Sequence, residues 1–200
     1  MAIEFQYNKT SLQALNKQLR IRENALPILK NKEAALRIEV KKAKREAEAM
    51  QEQLDREFQA RSDMAALWEE FDFNLLKVAD VQITRQKIAG VSIPVLEDVV
   101  YKQQPYSLFN RPSWFPAGIK LVKSWTELAL RKQFLLQKME LLDQARKKTT
   151  QKVNLYEKVQ IPGYEDAIRK IKRFLEDEEN LAKAAQKIVK NRQQANNDSI

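Results

Sequence analysis

Residues 12–54 read LQALNKQLRIRENALPILKNKEAALRIEVKKAKREAEAMQEQL, and their apolar side chains return at alternating steps of three and four residues. The same register continues to residue 68, and it visits Leu12, Leu15, Leu19, Arg22, Leu26, Leu29, Glu33, Leu36, Val40, Ala43, Ala47, Met50, Leu54, Glu57, Arg61, Met64 and Trp68. This spacing is that of the a and d positions of a heptad repeat, which form the apolar seam of a coiled coil. A continuous helix of this span would be about 85 Å long. The first third of the chain is therefore predicted to be one long helix.

A second heptad pattern begins near Gly118. Its apolar positions are Leu121, Trp125, Leu128, Leu135, Met139, Leu142, Val153 and Tyr156, with Lys132, Arg146 and Thr149 as polar positions. Beyond Tyr156 the pattern shifts by one residue and continues through Ile161, Tyr164, Ile168, Ile171, Leu175, Ala182, Ala185 and Val189. Two such stretches around a short middle predict a mainly α-helical chain that folds back on itself as a long antiparallel two-helix coiled coil.

Prolines mark one place in each predicted helix. The shift in the second pattern coincides with Pro162-Gly163, and the first pattern contains Pro27. A proline inside a helix removes one backbone donor and clashes with the preceding turn, so each site predicts a local bend. If the helices pair with Phe71 beside Lys120, Pro27 lies opposite Gly163. The sequence thus predicts that both helices bend at the same level, and that the second extends past the start of the first.

The middle of the chain changes to the alternation of a β-strand. The apolar positions are Val78, Val81 and Ile83, followed by Ile88, Val91, Ile93 and Val95, among β-branched neighbours. The polar run Thr84–Lys87 is predicted to be the turn of a hairpin, with Gly90 allowing a bulge or a close approach and Pro94 ending the second strand. Because an isolated two-stranded hairpin is marginally stable in water, it is expected to pack on the helices or on a partner.

Residues 102–118 combine turn residues with aromatic ones. They are Pro105, Pro112, Pro116 and Gly118, and Tyr106, Phe109, Trp114 and Phe115. Two interpretations stay open, and both can be true: the aromatic residues close the end of the coiled coil, and Trp114 and Phe115 belong to a surface that binds a partner. The chain is accordingly divided into a first coiled-coil helix (1–75), a hairpin and irregular foot (76–118), a second coiled-coil helix (119–190) and a flexible tail (191–200).

The composition argues against several classes of function. The 200 residues include no Cys and no His, and only three are Gly. Disulfides, the usual zinc ligands, thiol nucleophiles and His-dependent catalysis are therefore excluded. No phosphate-binding loop is present either, so we expect no catalytic residue, metal or cofactor and interpret the acidic runs as solvated surfaces. With no apolar run of about 18 residues and no leader, the chain is expected to be cytoplasmic.

The net charge of +9 is unevenly distributed. Residues 120–152 hold nine Lys or Arg against three acidic residues, whereas residues 176–179 are all acidic. A basic protein can bind nucleic acid, so a basic coiled-coil scaffold or nucleic-acid-associated structural protein is an alternative function. The basic residues are interleaved along helix surfaces without a motif that reads a groove, which favours contacts with protein and no nucleic-acid partner.

Three blocks of the sequence resemble the D subunit of the rotary V/A-type ATPases. Residues 8–40 resemble the family's first helix, and KIAGVSIP (87–94) resembles its hairpin segment. The segment VNLYEKVQIPGYEDAIRKIKRFLEDEE (153–179) is similar to its carboxy-terminal pattern of Val-Asn, Leu/Tyr-Glu, Ile-Pro and spaced Ile and Leu. The blocks occur in the family's order over nearly the whole chain, and its length resembles that of the prokaryotic forms.

This resemblance implies a non-catalytic central rotor shaft. The helices would sit within a ring of alternating A and B ATPase subunits, the small F subunit would bind the middle of the shaft, and the funnel-shaped C/d subunit would link its foot to the membrane ion-binding ring. The chain would then transmit torque in coupling ATP hydrolysis or synthesis to proton or sodium transport, at the periphery of the inner membrane. The candidate contact residues are Arg146, Lys147 and Lys148 on the second helix, Gly90 and Pro94 in the hairpin, and Trp114 and Phe115 in the foot.

Overall fold

The first long helix, α1, spans Lys9–Gln59 and contains Pro27. The computed structural model describes residues 3–107, 109 and 111–197, without the side chains of 63–66 and 195–197. Helix α1 starts after Asn8, whose side-chain Oδ1 accepts a hydrogen bond from the Ser11 backbone N–H at 2.6 Å and so caps the first turn. It ends well before residue 75, because residues Ser62–Glu70 and Phe73–Leu75 form short 3₁₀ segments. The predicted seam position Met64 lies outside the described side chains.

The second helical stretch consists of α2 (Phe115–Leu155), a π-helical turn (Tyr156–Gln160) and α3 (Ile161–Asn197). Helix α2 begins three residues before the predicted Gly118, because Pro116 lies in its first turn, where no backbone donor is needed. The helix also continues beyond the predicted boundary at residue 190 as far as Asn197. Residues 198–200 of the predicted tail lie outside the described residues. The mainly α-helical class and the small hairpin are confirmed.

The hairpin is longer than predicted. Strands β1 (Leu76–Ile88) and β2 (Val91–Gln103) pair antiparallel with two register irregularities. The turn is formed by Ala89 and Gly90, with φ angles of 49° and 80°, the positive values that a tight two-residue hairpin turn requires. The predicted turn at Thr84–Lys87 is therefore wrong, since those residues lie within β1. Pro94 does not end β2 either, because it lies inside the strand opposite Arg85.

Residues 1–31 and 149–200 form one compact unit. In its core, Leu15 of α1 packs on Ala167, Ile168 and Ile171 of α3, and Ile171 is fully buried. The segment before α1 adds Ile3 and Phe5 to this core. Here the two helical stretches run side by side in opposite directions, as the seam predicted.

Residues 32–148 form the second compact unit, with two clusters. In one, Leu36 of α1, Ile93 of β2 and Leu142 of α2 are all fully buried against each other. The hairpin thus packs on both helices, as expected because an isolated two-stranded hairpin is marginally stable. In the other, Phe71 and Leu75 pack on Phe115 and Ile119 at the start of α2. A side chain at Gly118 would meet the Trp114 ring at 2.7 Å, so this turn requires glycine.

The register of the helices differs from the prediction. Phe71 does lie beside the start of α2, but the Phe58 ring already contacts the Trp125 ring, at 4.6 Å between centroids. The same Trp125 ring is 5.2 Å from that of Trp68, so residues 58–68 hardly advance along α2. Counting from Phe71 as if that segment were α-helical places α1 about one heptad out of register.

Candidate partner-binding surfaces

The acidic residues of the described part of the chain are dispersed or paired with basic side chains. Among the described residues, no group of three or more Asp or Glu side chains could hold a metal ion. Residues 176–179 are exposed, and Asp72 forms an ion pair with Arg111 at 3.3 Å. No helix in the described ranges is both long and apolar enough to cross a membrane. The interpretation of the acidic runs as solvated surfaces agrees with this arrangement.

The basic trio of α2 is partly neutralised within the helix. Arg146 pairs with the Asp143 carboxylate at 2.7 Å, and Lys147 pairs with its other oxygen at 3.0 Å. Hydrogen bonds from Lys147 and then Arg146 hold the pKa of Asp143 below its ordinary value. Lys148 is exposed. The trio therefore presents a cationic surface in which Lys148 carries charge that Asp143 does not offset.

The hairpin residues Gly90 and Pro94 lie on different parts of the hairpin. Gly90 is in the turn, where a Cβ would come within 3.5 Å of the Lys32 Nζ of α1. Pro94 lines an open apolar cleft between β2 and the helices that also includes Met50, Phe134 and Leu135. The Lys138–Glu46 ion pair, 3.5 Å long, borders this cleft.

Tyr101 fastens the base of the hairpin to α2. Its hydroxyl donates a hydrogen bond to the backbone carbonyl of Lys123 at 3.1 Å, and the Lys123 ammonium lies 5.7 Å from the centre of its ring. Burial raises the pKa of Tyr101 above its ordinary value of 10.0, and the negative charges of Glu127 and Asp98 add to the rise. The neutral hydroxyl is the form that can donate this bond. Sequence patterns gave no indication of this contact.

We expect Tyr101→Phe to lower the free energy of unfolding by about 1 kcal/mol, the usual contribution of one hydrogen bond. Because the folded-state pKa is raised, the bond contributes fully below pH 10 and is lost as the pH rises through the folded pKa. The difference between the two proteins should therefore shrink in alkali. Urea unfolding at pH 8 and above pH 10 measures it, with Tyr106→Phe as the control. A difference that is constant with pH would contradict the assignment.

Trp114 and Phe115 belong to an aromatic cluster at the end of the helices. Phe115 is fully buried against Phe71, and the Trp114 and Trp68 rings meet edge to face at 5.5 Å. The cluster packs against the start of α2, so the first interpretation holds for Tyr106, Trp114 and Phe115, whereas Phe109 is fully exposed and does not belong to the cluster. The exposed aromatic side chains beside it are Phe58 and Phe73.

An apolar groove opens next to this cluster. Its lining includes Leu54, Phe58, Trp68, Phe73 and Trp125. The buried indole N–H of Trp125 meets no hydrogen-bond acceptor among the described residues, and neither does that of Trp114. An unpaired buried donor is costly. The groove and the two indoles therefore form the part of residues 32–148 whose polar groups are least satisfied.

The predicted bend residues do not face each other as expected. Lys30 pairs with Glu157 at 2.7 Å, and Arg22 donates to the Gln160 side chain at 2.7 Å. Pro27 lies between these two α1 residues and is therefore level with the π-helical turn, although its own side chain is exposed. Gly163 instead lies against Ile3 of the N-terminal segment, whose Cδ1 is 3.1 Å from a Cβ built there. The predicted Pro27–Gly163 pairing is wrong by about one heptad, because a seven-residue repeat leaves such shifts equivalent.

The π-helical turn accounts for the phase shift in the second seam. The Ile161 backbone N–H bonds to the Tyr156 carbonyl, five residues back. Pro162 has no N–H, and in an α-helix its ring would clash with the carbonyl four residues earlier. Widening the turn relieves that clash and inserts one extra residue. The one-residue shift read from the sequence is thus confirmed as a π-helical turn just before Pro162-Gly163.

The last part of α3 carries an apolar stripe without a partner in the described residues. Leu181 is 72% exposed, and Ile188 and Val189 are both more than half exposed. Tyr7 contacts Phe174 at 4.9 Å between ring centroids, near the level at which α1 begins. The prediction that the second helix extends past the start of the first is confirmed within the described residues.

The sequence matches the family model that describes the D subunit of ATP synthase, over residues 11–191. The V-type ATP synthase D subunit of Chlamydia muridarum is 31% identical over 185 residues, which cover 88% of this chain and 90% of the relative. The protein of the same name from Borreliella burgdorferi is 28% identical over 184 residues and 91% of each chain. That of Chlamydia trachomatis serovar L2 is 31% identical over 188 residues, or 88% of this chain and 90% of the relative. With matches that span both helical stretches and the hairpin, the chain belongs to the family of ATP synthase D subunits.

Proposed function

We propose that this chain is the central-stalk rotor component of a V/A-type rotary ATPase. It transmits torque between the A/B catalytic hexamer and the membrane ion-binding ring, and it supplies no catalytic residue itself. The observation that carries the proposal is the match along about nine tenths of relatives named as the D subunit of V-type ATP synthase. The antiparallel helices support it, because a long seam of buried apolar contacts makes twisting collective.

We assign each of the surfaces described above to one of the proposed partners. The exposed stripe of α3 at Leu181 and Ile188 faces the interior of the A/B ring in this proposal, and Arg146, Lys147 and Lys148 meet acidic loops of the same ring. The hairpin residues Gly90 and Pro94 belong to the side that binds the F subunit. The foot around Trp114 docks on the funnel-shaped C/d subunit. The complex holds the chain in the cytoplasm at the periphery of the membrane.

Co-purification tests this assignment. Tagged full-length chain, co-expressed with A, B, F and C/d-type subunits, should recover all of them in a stoichiometric complex. A basic scaffold that binds nucleic acid would instead retard DNA or RNA in a salt-sensitive way, because its affinity would depend on counterion release. Failure to recover the ATPase subunits together with such retardation would overturn the proposal.

Reversing the basic trio (Arg146→Glu, Lys147→Glu and Lys148→Glu) should lower coupled ATP turnover about threefold to tenfold, since long-range attraction to the ring is replaced by repulsion. Circular dichroism should show that the helices remain. The matched control is Lys41→Glu, Lys42→Glu and Lys44→Glu, three exposed lysines of α1 that give a similar change in charge. An equal loss of turnover in both variants would mean that only net charge matters, which contradicts a specific role for the trio.

A further inference from the structure

We propose that the level shared by Pro27 and the π-helical turn Tyr156–Gln160 is a twist point. This term means a level at which the helical pair of residues 1–31 and 149–200 yields to torque more easily than in the turns on either side. The structural property stands on the geometry alone, whereas its use in rotation rests on the proposed function.

Both helices lack part of their backbone hydrogen bonding at this level. On α1, Pro27 has no N–H to donate to the Glu23 carbonyl four residues earlier. On the opposite stretch, Pro162 likewise donates nothing, and the turn before it is closed by the Ile161-to-Tyr156 bond. A π-helical turn is a local departure that a regular helix seldom contains. The two weakened turns lie next to each other, so neither helix can stiffen the other there.

The π-helical turn contributes no fully buried side chain, and only Tyr156 and Gln160 are half-buried. None of Tyr156–Gln160 is buried, whereas Ile171 on one side and Val153 on the other are buried. The Lys30–Glu157 pair is 2.7 Å long, but both side chains are nearly half exposed. Exposed ion pairs are weakly stabilising and re-form readily, whereas close-packed apolar contacts resist displacement.

Arg22 gives the twist point a defined resting position. Its Nε donates to Gln160 at 2.7 Å, and its guanidinium carbon lies 4.6 Å from the centre of the Tyr164 ring and 5.9 Å from that of Tyr156. One side chain therefore contacts residues within and after the π-helical turn. These contacts are attractive but allow a range of distances. We infer that these contacts let the segment twist under torque and then restore its resting conformation.

A straightened variant tests the twist point directly. Deletion of Val159, which is 41% exposed, together with Pro162→Ala, removes the extra residue and the clash. Because the seam shifts by one residue at this turn, the deletion joins its two halves into one uninterrupted heptad pattern. Pro27→Ala, added to this variant, restores the missing donor on α1. The control is deletion of Gln137, an exposed residue in the continuous seam of α2, where loss of one residue breaks the pattern.

Hydrogen exchange on the isolated full-length chain gives the first readout. In the wild type, amides around residues 158–164 should exchange at least about tenfold faster than those of residues 165–172. In the straightened variant this difference should disappear without loss of thermal stability, whereas the Gln137 deletion should lower the melting temperature. Equal exchange in the two wild-type segments would overturn the proposal. So would a straightened variant that is destabilised as strongly as the control.

The assembled ATPase gives the second readout. Straightened and wild-type chains should support the same ATP hydrolysis without an ion gradient, but turnover against an opposing gradient should fall at least about twofold when the compliant level is absent. Equal turnover under both conditions would refute its use in rotation. Failure of the wild-type chain to assemble with the ATPase subunits would refute the proposed function instead, and the exchange result would be unaffected.

Discussion

Ile93→Asp is expected to lower the free energy of unfolding of residues 32–148 by about 4 kcal/mol, the sum of a lost apolar side chain and a buried charge. Ile93 is fully buried between Leu36 and Leu142, where β2 meets both helices. An aspartate there meets no cation in this cluster, so it must either stay buried at high cost or pull the hairpin off the helices. The hairpin cannot replace those contacts alone, because two strands are marginally stable.

Tryptophan fluorescence can follow this unfolding specifically. The three tryptophans, Trp68, Trp114 and Trp125, all lie in residues 32–148, so the urea midpoint of their transition reports this unit. Typical urea dependence converts the expected loss into a shift of about 2 M. Ile83→Asp is the matched control, because Ile83 lies in the same hairpin but is 52% exposed, and its effect should stay within about 1 kcal/mol. Similar shifts for both variants would show that the Ile93 contacts do not anchor the hairpin.

The sequence was sufficient to predict the two long helical stretches, but it did not predict the register in which they pair. Heptad spacing shows which face of each helix is buried, yet a shift by a whole heptad leaves that face unchanged. Polar contacts in the structure discriminate between such shifts, since Lys132 bonds to the Gln51 side chain, and Glu46 to Lys138. In the predicted register Lys132 would face the aromatic Phe58.

The hairpin turn was predicted at the wrong place because an exposed stretch of strand is polar, as a turn is. Residues Thr84–Lys87 are polar since this part of β1 is exposed on both faces, whereas a strand with one buried face alternates. The true turn carries Gly90 at its second position, as tight turns prefer. Alanine, which occupies the first position as Ala89, seldom adopts a positive φ. The pair Ala89-Gly90 was therefore not recognised as a tight turn from the sequence.

The segment before α1 was missed although it left a signal. Ile3, Phe5 and Tyr7 alternate with polar residues, the spacing of an extended chain with one face on a core. Two of them pack against the Leu15 cluster, and Tyr7 contacts Phe174. The unpaired indole N–H groups of Trp114 and Trp125 could not be predicted from the sequence, because hydrogen-bond satisfaction depends on tertiary contacts.

Ile171→Asp is expected to destabilise the other unit, residues 1–31 and 149–200, by a similar amount, about 4 kcal/mol. Ile171 is fully buried against Leu15, Ala167 and Ile168. Short helical segments are marginal in water without tertiary packing, so loss of this core should melt the start of α1 and part of α3 together. The helical signal at 222 nm should fall at a lower urea concentration, while the tryptophan transition keeps its midpoint because every lost contact lies outside residues 32–148.

Ile188→Asp is the matched control for this variant. Ile188 lies on the same helix and is 55% exposed, so the same substitution removes no buried contact and should change the free energy of unfolding by less than about 0.5 kcal/mol. If Ile188 belongs to the stripe that faces the A/B ring, this variant should fold normally and yet bind the ring subunits more weakly. Ile171→Asp would lower both stability and binding. Destabilisation by Ile188→Asp equal to that of Ile171→Asp would mean that the stripe is packed within the chain, which would contradict both its exposure and its proposed role.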